Sequence, residues 1–489
     1  MYRQPVESTT SVARLRGMSD ITGDPLFRRE QLQRRLTALL SSYGYRGLDT
    51  PLLESTELFL RKSGGELASQ LFSFTDPGSR AVSLRPEFTA PAMRYYLEHT
   101  AEIELPARWQ YCGPVFRFDG ASPPSVSDRP GNSGQFTQIG GELVGASGVT
   151  ADVELLNLAV SALAVTGLRQ WTLQLADLNI LNSLLDPLGL SERARAFVVQ
   201  SVPLLRDGPA AIPQLMDDAQ RLHVIGRHAA DDDYLSQAVH GLDDDDARNV
   251  LLGVLRSNPL DQLGQRRPEE VVERLLRKIR RPEAEETLRL GLQTACELAQ
   301  VRGSATTALD DVSGALRKAG ADTSAAGRLE QFIRMMSGQE DASGRIVLDF
   351  GLVRGLAYYN GIIFEVSHPD WPGPLGGGGR YDGLARDLGG SHRLPALGFA
   401  YNLDALVQLT SQQSPDSGSQ PNSVLVMADS EAGHVAAMSV AQELRDKGEI
   451  AELEVTGRTV EEACAYAALR RLGRVVMVRE SGETVTYEV

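Results

Sequence analysis

Cysteine and histidine are scarce in this chain, and neither falls in a pattern that would make it a ligand. The 489 residues hold three cysteines, Cys112, Cys296 and Cys464, and seven histidines. The cysteines lie too far apart for a disulfide framework or a thiolate cluster, and the histidines show no ligand spacing, so no metal site is expected. Long hydrophobic runs are missing too. No uninterrupted apolar stretch nears the roughly 20 residues that a membrane span needs. The N-terminus, Met1-Tyr-Arg-Gln-Pro-Val-Glu-Ser8, lacks the apolar core of a secretory signal, so the expected compartment is the reducing cytoplasm. Positive charge is in deficit: 49 Lys and Arg stand against 64 Asp and Glu, a net charge of −15. That balance argues against a broad phosphate-binding surface, which needs clustered cations. Much of the acidity sits in Asp231-Asp-Asp233 and Asp243-Asp-Asp-Asp246, read as solvated faces.

What is present is an ordinary globular composition, 42% hydrophobic and 23% charged, long enough for about three domains. Leu26, Leu32, Leu36, Leu39 and Leu40 repeat at helical spacing up to Gly44. Strand-like runs follow at Ala81–Leu84, Ala107–Tyr111, Pro114–Phe118 and Gln135–Ile139, then a helix over Asp152–Val165 and a strand at Trp171–Leu175. From 178 to 335 the pattern is Leu/Ala/Arg-rich and helical, and strand character returns at Arg345–Phe350 and Ile362–Val366. Strands on both sides of a helical block imply one sheet interrupted by an insertion. The expected organisation is a core at 1–177 and 336–409, a mainly helical insertion at 178–335, a linker at 410–422 and a small α/β domain at 423–489.

Several motifs, taken in order, resemble the class II aminoacyl-tRNA synthetases, specifically the histidyl branch. Arg16-Gly-Met-Ser-Asp20 with the first helix and Tyr43–Pro51 resembles the first class II motif. Leu84-Arg-Pro-Glu-Phe-Thr-Ala90 is similar to that branch's Arg-Pro-Glu-Gly-Thr segment. Gly113–Asp119 followed by Gln135–Glu142 resembles the second motif, Leu352–Asn360 the histidine-recognition loop, and Gly376-Gly-Gly-Gly-Arg-Tyr-Asp-Gly383 a further histidyl segment. The resemblance implies an α+β fold: a class II synthetase-like core of antiparallel sheet and helices, a helical insertion, and a C-terminal α/β domain like an anticodon-binding module.

It also implies a pocket. Free histidine offers an ammonium, a carboxylate and an imidazole, and needs acceptors, a cation and polar groups around the ring. By resemblance Glu87, Thr89 and Gln138 hold the ammonium, Arg354 meets the carboxylate, and Glu142 and Tyr359, with Tyr358 beside it, read the ring. The nucleotide side departs from the pattern. The third motif, Gly398-Phe-Ala-Tyr-Asn-Leu-Asp-Ala-Leu406, has Asp404 and Ala405 where the synthetases carry Glu-Arg, and an alanine cannot neutralise a triphosphate. Asn132 and Gly134 stand where arginines precede the Gln-Phe pair, leaving Arg117 and Arg129 as residual nucleotide-side cations. Phe88 replaces a glycine and Ala357 an aspartate. This combination resembles the regulatory subunit of ATP phosphoribosyltransferase, which implies a histidine-sensing subunit with no catalytic residue and no cofactor. Its partner would be a short-form phosphoribosyltransferase, around a homodimer within a larger hetero-oligomer, with no tRNA and no membrane. The alternative is a histidine–tRNA ligase using ATP and magnesium, and a third reading is a pseudo-synthetase that senses an amino acid.

Overall fold

The structure, a computed structural model, describes residues 12, 14, 15, 17–61, 65–118, 134–222, 224, 225, 239, 242–257, 272, 276, 285–336, 344–352, 358–413 and 423–489. Arg16, Asp231–Asp233 and the linker beyond Gln413 lie outside them. The described residues form two compact units, 1–410 and 411–489.

The first unit opens with α1 (Gly23–Ser42), whose Leu32, Leu36 and Leu40 are buried as one helical stripe. Gly44 follows with φ +83°, a conformation that an L side chain rarely takes, and turns the chain into the short strand β1 (Arg46–Gly47). Next come β2 (Leu53–Ser55), α2 (Thr56–Leu60), α3 (Gly65–Ser69), β3 (Ser73–Thr75) and β4 (Ala81–Leu84). Strands β2, β4 and β3 make a separate antiparallel sheet. After α4 (Thr89–Glu98) the main sheet is laid down by β5 (Ala107–Phe116) and β6 (Gln135–Val144). It continues, beyond α5 (Val149–Thr166), with β7 (Trp171–Asp177). The helices α6 (Leu178–Leu185), α7 (Glu192–Leu205) and α8 (Ile212–Arg221) follow, then helices Asp244–Ser257, Glu285–Ala299, Ala305–Lys318 and Ser324–Met336, broken by the short β8 (Arg302–Gly303). Strands β9 (Gly344–Asp349), β10 (Ile362–Ser367), β11 (Gly376–Arg380) and β12 (Ala396–Asn402) complete the sheet before the helix Leu403–Gln413.

The nine strands lie in the order β1-β5-β6-β12-β11-β10-β7-β9-β8. The middle, from β5 to β7, is antiparallel throughout, while the β1/β5 and β7/β9 pairs near the edges are parallel. Side chains alternate across a strand. On β6 that places Ile139 and Leu143 in the main core with Leu36 and Leu40 of α1 and Leu158 and Leu163 of α5, and turns Gln138 and Glu142 to the other face. Each fully buried leucine in such a core contributes about 1.5–3 kcal/mol of transfer free energy. Among the described residues α5 is the one helix long and apolar enough to cross a membrane, and 56% of it is buried within the fold. Leu190, Val198, Leu205, Leu288, Leu292 and Phe332, from the helices between 178 and 336, share this core with Leu173 and Leu175 of β7.

One strand expectation is revised. Ala107–Tyr111 and Pro114–Phe118 belong largely to one strand, since β5 runs unbroken from Ala107 to Phe116. The run Gly376–Gly379 is itself a strand. A Cβ on Gly376, Gly378 or Gly398 would strike a neighbouring strand or side chain, so β11 and β12 can approach only through glycine.

The second unit carries β13 (Ser423–Ala428), β14 (Ile450–Leu453), β15 (Arg474–Val478) and β16 (Thr484–Glu488), in the order β14-β13-β15-β16. The first three are mutually parallel and β16 is antiparallel. Helices His434–Asp446 and Val460–Arg470 cover it, the first packing Ala437 and Ala441 on Val424 and Val426, the second Ala463 and Ala467 on Leu425 and Val475. The second helix starts with a capping box: Thr459 Oγ1 accepts from the Glu462 N–H, and the Glu462 carboxylate accepts from the Thr459 N–H at 2.9 Å.

Candidate functional site

Glu142 is the centre of the polar face of the sheet. It is 1% exposed, and a Cβ at Gly398 on the paired strand β12 would fall inside its carboxylate, so glycine there is what leaves it room. Three hydroxyls donate to it: Thr89 Oγ1 to Oε1 at 2.8 Å, Tyr111 OH to Oε1 at 2.9 Å, and Tyr381 OH to Oε2. Burial pushes its proton affinity up to about 7, against the pull of those three donors and with help from the Glu87 charge.

Glu87 is buried just before α4. Its Oε2 accepts from the Thr89 N–H at 2.5 Å and its Oε1 from the Ala90 N–H at 3.0 Å, so it caps the N-terminus of that helix. Burial raises its pKa while those N–H groups and Arg117 lower it. Gln138 lies two residues before Gly140 on the same face of β6, and its Oε1 is buried without a hydrogen-bond partner among the described residues. A buried acceptor left open costs free energy unless a donor fills it.

The tyrosines close the ring. Tyr358 and Tyr359 have ring centroids 4.9 Å apart, and Tyr381 lies 5.7 Å from the first and 6.5 Å from the second. Tyr358 is 5% exposed, and burial raises its hydroxyl well above the usual range, as do the Tyr359, Glu87 and Glu142 charges. Two carboxylates, one open amide oxygen and several hydroxyls make this face of the sheet rich in acceptors. Such a face suits a ligand that brings N–H donors and positive charge.

Hydrogen bonds, charges and ring contacts bring together Glu87, Thr89, Glu142, Tyr358 and Tyr359, and Gln138 lies further along the same face of β6 as Glu142. Arg354 and Ala357 lie outside the described residues, as do Arg129 and Asn132. Arg117 donates from Nε to the Pro86 carbonyl at 3.1 Å, with its guanidinium 5.3 Å from the Phe136 ring centre. Asp404 and Ala405, at the start of the helix Leu403–Gln413, serve the fold: Asp404 accepts from the Thr137 N–H at 2.7 Å and pairs with Arg29 at 3.6 Å, and Ala405 is fully buried in the main core. Sequence reasoning missed Tyr111 and Tyr381 as site residues. Tyr111 opposes Gly140 across the β5–β6 pair, a register that no local sequence pattern reports.

Among solved structures, the fold is similar to a Bacillus halodurans protein described as an ATP phosphoribosyltransferase regulatory subunit/histidyl-tRNA synthetase, with a TM-score of 0.64 at 20% identity over 94% of this chain and 97% of that one. It is similar also to the histidyl-tRNA synthetase of Nostoc sp. PCC 7120, with a TM-score of 0.62 at 15% identity over 98% and 97%. The architecture is a class II aminoacyl-tRNA synthetase-like fold, α+β, with a small C-terminal α/β domain. More narrowly, the chain belongs to the histidyl-tRNA synthetase family, matching it over residues 17–216 and 256–406. Curated relatives include the histidine–tRNA ligase of Methanocaldococcus jannaschii, 26% identical over 95% of this chain and 91% of that one, and that of Pyrococcus furiosus, 28% identical over 96% and 91%.

These relatives overturn the expectation of a non-catalytic regulatory subunit. That expectation rested on Gly398–Leu406 with its missing arginine, on the departures at Asn132, Gly134, Phe88 and Ala357 and on the acidic balance, whereas the ligases match across 467 and 474 residues, the C-terminal unit included. Positions 404 and 405 serve the fold here, Asp404 accepting a backbone hydrogen bond and Ala405 packing in the main core, so this short motif reports local packing and says little about the whole chain.

Proposed function

We propose that this chain is a histidine–tRNA ligase: it binds free histidine beside Glu142, activates it with ATP and transfers it to tRNA. Full-length similarity to histidine–tRNA ligases supports the reaction. The observation that carries the ligand is the open, buried Oε1 of Gln138 on the face of β6 that also carries Glu142. In this reading the α-ammonium donates to Gln138, Thr89 and Glu87, the imidazole N–H donates to Glu142 with Tyr358 and Tyr359 along the ring, and Arg354 meets the carboxylate. Phosphate neutralisation falls to Arg117 and Arg129, ATP entering with magnesium as substrate. With arginines missing at 405, 132 and 134, adenylation is expected to run at least roughly 10²–10³-fold below that of a relative with the full arginine set.

Two assays separate the halves of the proposal. Histidine-dependent exchange of pyrophosphate into ATP, followed by charging of tRNA, tests the ligase. No exchange at saturating histidine sinks it. Calorimetric titration with histidine alone tests the pocket, and no heat of binding sinks that part.

A further inference from the structure

Phe88 stands in sequence between two site residues, Glu87 and Thr89, and its side chain is 1% exposed. Its ring lies face to face with Tyr111, centroids 4.3 Å apart and planes 5° from parallel. The Arg85 guanidinium packs on the same phenyl ring, 3.9 Å from its centre. Arg85 is itself 2% exposed and held by the Pro114 carbonyl at 3.0 Å and by the Thr50 carbonyl. A Cβ on Gly113 would come within 2.6 Å of the Arg85 guanidinium and 3.1 Å of the Phe88 ring, so the strand opposite is bare where the stack passes. Val115 completes this small buried cluster with Phe88 and Tyr111.

Tyr111 is what the stack restrains. The phenol oxygen lies on the axis of the ring torsion, so what must be held is the χ1 swing and tilt of the ring, which carry the hydroxyl towards or away from Glu142 Oε1, 2.9 Å away. A parallel aromatic neighbour with a cation on it removes that freedom through directional ring electrostatics, which an aliphatic side chain of similar volume does not supply.

We propose that Phe88 is a positioning residue for the imidazole site: stacked under Arg85, it locks the Tyr111 ring so that its hydroxyl keeps the Glu142 carboxylate oriented and ionised as an acceptor. The inference rests on the reading of Glu142 as the acceptor for a ring N–H. The groups that face Glu142 are the hydroxyls of Tyr111 and Tyr381, with Thr89, the Glu87 carboxylate, and the phenols of Tyr358 and Tyr45. Of these, only Tyr111 is tied to Phe88 by a ring contact.

The test compares the full-length wild type with F88L, Y111F and the double variant, each first checked for a cooperative melt. Histidine affinity is measured by calorimetry across the neutral pH range, and the Glu142 titration midpoint is read in ligand-free protein by carboxyl ¹³C NMR. F88L is expected to move the acidic limb of binding upward and weaken affinity at neutral pH about three- to tenfold, the worth of one neutral hydrogen bond. Y111F should do the same, and adding F88L to Y111F should move the limb no further, as for residues acting through one another. An F88L limb that coincides with wild type, or that adds fully to Y111F, overturns the inference. So does a Y111F variant that leaves the limb in place. If wild type binds no histidine at any pH, the ligand reading fails, and the Glu142 midpoints decide the role of Phe88 by the same comparison.

Discussion

Glu142 holds its proton in the folded chain to about pH 7, whereas an unfolded glutamate loses it near 4.3. Between those values the folded state binds more protons than the unfolded one, so stability falls as pH rises through that window. The loss should be roughly 3 kcal/mol and should flatten in Glu142→Gln, as read from urea midpoints between the two limits. For binding, Arg354→Ala is expected to weaken histidine affinity by about 2–5 kcal/mol, because it strands the ligand carboxylate without its cation. Calorimetry showing unchanged affinity would remove Arg354 from the site. The acids and the amide of this pocket were legible in the sequence because each sits inside a recognisable segment: Glu87 and Thr89 in Arg-Pro-Glu-Phe-Thr, Gln138 and Glu142 after Gln-Phe-Thr. Tyr111 was not, since its value comes from facing Gly140 across a register that no local pattern reports.

At the scale of elements, helices announced themselves and glycine strands did not. The leucine spacing of α1 and the apolar run of α5 state their periods outright, and the structure places them within three residues of the expected bounds. By contrast, β11 is built from Gly376–Arg380 against every strand propensity, because its neighbours leave no volume for a Cβ. The fourth strand of the C-terminal unit, β16, was missed for a different reason: Thr484–Glu488 is half exposed, and edge strands of that kind carry little hydrophobic signal. In the same unit Thr459→Ala removes the oxygen of a complete capping box and should cost about 1 kcal/mol, seen as a lower denaturant midpoint with unchanged slope. Ala405→Arg should not restore a nucleotide clamp. The position is fully buried in the core, so the expected outcome is a loss of several kcal/mol of stability, of the order set by burying an unpaired charge, and no gain in pyrophosphate exchange.

The whole molecule is acidic, with a net charge of −15, and part of its positive charge is tied up in ion pairs. In the C-terminal unit Arg458 pairs with Glu454 at 2.8 Å, Arg470 with Glu452 at 3.0 Å, Arg474 with Glu449 at 2.5 Å and Arg479 with Glu483 at 2.7 Å. A surface of this kind engages few nucleic-acid phosphates. Between 50 and 200 mM salt, tRNA affinity should therefore fall only about tenfold, the slope for roughly two phosphate contacts, where six to ten contacts would cost 10³–10⁵. Fluorescence anisotropy at both salts measures it, and a steep slope would mean that these ion pairs open on binding. The bare strand contacts of the main sheet carry their own consequence for how this chain can change. Gly376 and Gly378 face backbone of β12, and Gly398 faces the Glu142 carboxylate, so these sites have no independent histories. A library that randomises them should return glycine at each, and drift in the family has to pass around this patch through the loops at its rim.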